Sequence, residues 1–130
     1  MNEDFVTYNQ AEKLADLGFD YKCTACYNEE EFEMTSEYSN YNLNQYRYNI
    51  ISAPTLSHAQ KWLREVKRIS VEPISCGYAD NVSDKMVWSS FICNDKLRFD
   101  QTADFNSYEQ ALSKGLDIAI EILEQQSNEN

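Results

Sequence analysis

The chain has 130 residues and a formal net charge of −11, from 22 acidic residues against 11 lysines and arginines. That length fits a single domain with its own core, and a hydrophobic content of 42% excludes a disordered chain. The charge opposes wrapping around nucleic acid, which depends on neutralising phosphates, and it opposes docking on an anionic membrane.

A partner drawn in electrostatically should instead be basic. No apolar run approaches the ~20 residues of a membrane span, and the opening MNEDFVTYNQ lacks a secretory pattern. The expected location is the reducing cytoplasm, where four cysteines remain free thiols.

The first helix is announced by Thr7 and Gln10, a capping-box spacing in which each side chain satisfies an end donor. Ala11, Leu14 and Ala15 recur at helical spacing. Gly18 supplies the left-handed stop, and Phe19 can fold back on the last turn.

The stretch DYKCTACYN follows, with Cys23 and Cys26 in a C-x-x-C. Read as a strand, it sends Phe19, Tyr21, Cys23, Ala25 and Tyr27 to an apolar face, and Cys26 to the polar one. The two thiols then point apart. Zinc would need converging thiolates and a second pair, which Cys76 and Cys93 do not form. A structural role is expected rather than a metal or redox site.

Residues 28–31 read as a turn and EFEM as a short return strand. Glu29, Glu30, Glu31 and Glu33 lack the spacing of a calcium loop and read as a solvated turn. Residues 35–45 read as an inserted loop, and YRYNIIS as a further strand with Tyr46, Tyr48 and Ile50 on one face. Tyr38, Tyr41, Tyr46 and Tyr48 are candidate binding residues. Tyrosines interleaved with asparagines offer large contact area at little entropic cost, although the same rings could simply cover the sheet.

After Pro54, a second helix over 55–68 is capped by Thr55 or Ser57. It buries Leu56, Ala59, Trp62, Leu63 and Val66. Lys61, Arg64 and Arg68 form its basic back, a candidate anion contact whose simpler reading is a solvated face. His58, the sole histidine, falls at the helix edge, and nothing in the sequence brings a thiol beside it for nucleophilic catalysis.

RISVEPIS is an edge or bulged strand because of Pro73, and residues 76–81 read as a loop. KMVWSSFICN is apolar on both faces, as a central strand is, and KLRFD follows as another strand. Ser107 and Gln110 open the last helix. A wide apolar arc from Tyr108 to Leu123 implies that it lies across a sheet. Gly115 on that arc costs about 1 kcal/mol against alanine, which close approach of a strand or of a large ring would offset. Residues 125–130 read as a solvated tail.

The expected fold is α+β, one domain over 1–130, with an antiparallel sheet of about four to six strands and three helices packed mainly on one face. Trp62, Trp88, Leu112, Leu116 and Leu123 are expected in one buried cluster.

The segments VTYNQAEKLADLGF, APTLSHAQKWLREV and SYEQAL resemble a family of small proteins of gut bacteria and their bacteriophages that has no assigned activity. The resemblance spans most of the chain except residues 33–45. It implies a cytoplasmic, phage-encoded or bacterial protein and transfers no catalytic residue.

No phosphate loop, nucleotide fingerprint or zincin motif is present. The reading is an acidic, non-enzymatic accessory factor that binds a protein, an inhibitor or a mimic of nucleic acid, without cofactor or metal. A ligand-binding protein or enzyme with a concealed pocket, and a virion component, are the alternatives.

Overall fold

The computed structural model describes residues 4–43, 49–78, 86–96 and 99–128. The fold is α+β. Three helices accompany six strands, which divide into two antiparallel sheets of three. The chain gathers into two compact units, residues 1–62 and 63–130. Among the described residues no helix is long and apolar enough to cross a membrane.

The first unit begins with α1 (Tyr8–Asp16), and its ends are made as its residues dictate. Gln10 N donates to Thr7 Oγ1 at 3.1 Å and Thr7 N donates to Gln10 Oε1 at 2.9 Å, a complete capping box. At the far end Gly18 takes φ 97°. Gly18 N donates to Ala15 O and Phe19 N to Leu14 O, the paired bonds of a Schellman stop. Phe19 is thereby turned inward, where its ring meets Trp62 at 5.3 Å between centroids.

Strands β1 (Cys23–Asn28), β2 (Glu31–Ser39) and β3 (Ile50–Ser52) form a sheet in the order β2-β1-β3. Two expectations change here. Cys26 is not on a polar face: it is 2% exposed and Cys23 is 3% exposed, because this central strand is covered on both sides. All four cysteines are free thiols. The return strand also runs to Ser39, so residues 35–39 of the expected loop are strand, and a 3-10 turn over Tyr41–Leu43 follows. The pairing with β1 shifts register past Met34, and Thr35 Oγ1 lies 3.0 Å from the carbonyls of Thr24 and Glu37. A polar run thus remains strand by bulging.

Helix α2 (Leu56–Val66) is capped by Thr55, whose Oγ1 accepts from His58 N at 3.1 Å. Val66, expected on the buried face, is 48% exposed because it is the last helical residue. Arg68 then stops the helix in a left-handed conformation, φ 58°. Trp62 is fully buried in the first unit, and its Nε1 donates to Asp20 Oδ1 at 3.1 Å.

The second unit holds β4 (Ile69–Tyr78), β5 (Met86–Asn94) and β6 (Phe99–Gln101) in the order β4-β5-β6. β5 is the central strand, as its two apolar faces imply, and β4 with Pro73 is an edge. β4 extends through Cys76 and Gly77 by a shift of register between Ser75 and Tyr78, where a loop was expected. Helix α3 (Tyr108–Asn128) lies across β4 and β5 and continues through residues 125–128, where a tail was expected. Leu112, Leu116 and Leu123 of this helix are buried. Trp88 is only half-buried and stands edge-on to Tyr108 at 5.4 Å, so it lies outside the fully buried core.

Candidate functional site

The first unit presents three features, one strand and two clefts. The most exposed is β2. Glu29 and Glu30 form a two-residue turn between β1 and β2 with φ of 52° and 72°. Both angles lie in the left-handed region that such turns require, where Asn-Gly is the usual pair. Two glutamates there accept backbone strain, and five glutamates fall within residues 29–37 with no lysine or arginine among them. Met34, Tyr38 and Leu43 expose 61, 72 and 70% of their surfaces along the same stretch.

Tyr38 therefore stands on a strand rather than in a loop. Tyr41 is half-buried in the 3-10 turn, its backbone N donating to Ser52 Oγ at 3.0 Å. Tyr46 and Tyr48 lie outside the described residues. Asn40 and Asn42, on either side of Tyr41, have structural partners. Asn40 Nδ2 donates to Asp20 O at 2.7 Å, and Asn42 Nδ2 donates to Phe19 O at 3.0 Å. Asn42 Oδ1 accepts from Ser52 N at 3.0 Å. These amides bind the 3-10 turn to the end of α1 and to β3. What remains on offer at the surface is Tyr38 with Met34 and Leu43. No pattern in the sequence separates Asn42 from a contact residue, since its partners lie 10 and 23 positions away.

A second feature is a cleft of about 380 Å³ lined by Tyr8, Glu12, Glu29, Glu30, Asn49 and Ile51. Tyr8 Oη donates to Glu12 Oε2 at 3.3 Å. Burial, and then the negative charge of Glu12, push the phenol above its ordinary range. The cleft is suited to a cationic group by charge.

The third feature is a cleft of about 310 Å³ whose lining includes Cys23, Thr24, Tyr38 and His58. The sequence offered no reason to place a thiol on the same cleft as His58, and the structure does so. The chemistry is nevertheless that of a packed thiol. Burial pushes Cys23 up to about 12, and its Sγ donates to Tyr21 O at 3.5 Å. A nucleophilic cysteine needs the opposite shift and an adjacent cation. The His58 ring is held near Phe19 and Tyr21, at 6.1 and 5.4 Å. Burial first and Lys61 second lower its pKa.

Lys61, Arg64 and Arg68 are all exposed, and Arg68 lies beyond the end of α2. Among the described residues no three His, Cys, Asp or Glu side chains gather as a metal site.

No protein-family model, curated protein or solved structure matches the chain.

Proposed function

We propose that the protein is a non-enzymatic binding factor that attaches to a basic surface of another protein through the outer strand of its first unit. The observation that carries this reading is the composition of residues 29–43, where exposed Met34, Tyr38 and Leu43 are set among five glutamates. Covering apolar area is worth about 25 cal/mol per Å², and the exposed side chains of Met34 and Tyr38 offer such area on a single outer strand. The glutamates add attraction for a basic partner, faster encounter and dependence on salt.

The net charge of −11 supports an inhibitor that occupies a surface otherwise used by nucleic acid. The resemblance to proteins of gut bacteria and their phages supports a phage-derived factor acting in the cytoplasm. The buried, uncharged thiol in the lining of the His58 cleft weighs against a covalent enzyme.

The test is affinity capture from the native cell by the wild-type chain and by the double variant Met34→Ser, Tyr38→Ala. The proposal expects a partner with a basic surface, lost by about tenfold or more in the variant and weakened by salt. Equal capture by the variant would remove the surface from the proposal. Capture indifferent to salt would remove the electrostatic part.

A further inference from the structure

We infer that the protein takes up an extended basic segment of its partner as an added strand, hydrogen-bonded to the free edge of β2 over Glu31–Met34. The inference rests on the function proposed above and specifies the geometry and chemistry of its partner.

β2 is an outer strand in the order β2-β1-β3, and among the described residues no strand pairs with its other edge. The turn sets the phase of the ladder. Asn28 and Glu31 flank the two turn residues and are the first pair, followed by Tyr27 with Phe32, Cys26 with Glu33 and Ala25 with Met34. A two-residue turn makes its flanking pair the hydrogen-bonded one, and the pairs then alternate. Glu31 and Glu33 therefore direct their backbone groups to β1. Phe32 and Met34 direct theirs to the open edge, an unused row of donors and acceptors. Past Met34 the register shifts, which confines regular addition to these four residues.

The side chains specify what can be added. Glu31 and Glu33 project to one face, Phe32 and Met34 to the other. Both glutamates are exposed. Phe32 is half-buried against Phe5 and Tyr27, at 4.9 and 5.6 Å, and Met34 is 61% exposed. An incoming strand thus meets carboxylates on one face and an apolar side chain on the other. Alternating basic and apolar residues satisfy both, because opposite charges on neighbouring strands attract and like charges repel. The same rule argues against a second copy of this chain, whose β2 would bring glutamate against glutamate.

The test uses fluorescein-labelled heptapeptides and the full chain, read by fluorescence anisotropy and by amide hydrogen exchange. One peptide alternates lysine and valine. Two others carry N-methyl groups on every second amide, in the two possible phases, and a fourth replaces lysine with glutamate. The lysine peptide should bind and slow exchange at Phe32 and Met34. One methylated phase and the glutamate peptide should each lose about tenfold or more. The variant Glu31→Lys, Glu33→Lys should invert the preference between the charged peptides.

If both methylated phases bind as well as the parent, contact is through side chains alone and strand addition is wrong, while the surface proposed above stands. If no lysine peptide binds, or the two amides exchange unchanged, strand addition is likewise overturned. The capture experiment with Met34 and Tyr38 then decides the broader proposal by itself. A dimer that protects Phe32 and Met34 without peptide would make the occupant a second copy and also overturn it.

Discussion

Gly115 of α3 lies so close to Val71 of β4 that a Cβ at position 115 would stand 2.5 Å from Val71 Cγ1, and 2.9 Å from Ser90 Cβ. Ser90 Oγ donates to Ala111 O at 2.6 Å, one turn earlier on the same helix face. Gly115→Ala should therefore destabilise the protein by roughly 1–3 kcal/mol from overpacking, against the ~1 kcal/mol that alanine returns in helix propensity. Urea unfolding measures it. The pair Gly115→Ala, Val71→Ala should show a favourable coupling, since the shortened side chain admits the new methyl.

The division between fold and surface in residues 38–42 can be tested by two substitutions. Asn42→Ala removes an acceptor for Ser52 N and a donor to Phe19 O, and should cost roughly 1–3 kcal/mol for the partners left unsatisfied. Tyr38→Ala removes a ring that is 72% exposed and should change stability by less than about 0.5 kcal/mol. Thermal melts of the two variants side by side check the contrast. Equal destabilisation would place Tyr38 in the scaffold.

The strained turn should be improvable. Glu29→Asn with Glu30→Gly keeps the positive φ values of 52° and 72° but supplies residues that tolerate them. The double variant should be more stable by about 1 kcal/mol, within the range for relieved backbone strain. It should also remove negative charge at the start of β2, so the salt dependence of partner capture should fall. A gain in stability together with weaker capture would place strain and function at one turn.

Thiol chemistry follows burial. Cys76 is exposed and should react first with an alkylating reagent, while Cys23 and Cys26 should react only on unfolding. Cys23 is pushed up to about 12, against about 8.5 for an unfolded cysteine. Its folded pKa is raised, so its contribution to stability is fully present below about pH 8.5 and is lost as the pH rises toward 12. Cys23→Ala should flatten that alkaline decline, as measured by denaturant midpoints across pH 8 to 11.

Features satisfied within a few residues are legible along the chain. The Thr7–Gln10 box and the Gly18–Phe19 stop need only neighbours on their own helix end, and both form as the pattern requires. The apolar arc of α3 with Gly115 inside it announces a close neighbour, and the folded chain supplies it as Val71 of β4 and Ser90 of β5. β5 reads as a central strand since both its faces are apolar.

Decisions that depend on chain-distant partners are not written locally. Alternation assigns Cys26 to a polar face, but only the folded sheet shows that this face is covered too. Asn42 and Tyr38 belong to one polar, tyrosine-rich run. Tertiary structure alone assigns the amide to the scaffold and leaves the ring in solvent, because an amide's role depends on whether a distant backbone group is brought within 3.0 Å of it. The cleft shared by Cys23 and His58 has the same origin. Their separation of 35 positions carries no signal, and only the folded chain brings them to one cavity while burying the thiol in its neutral form.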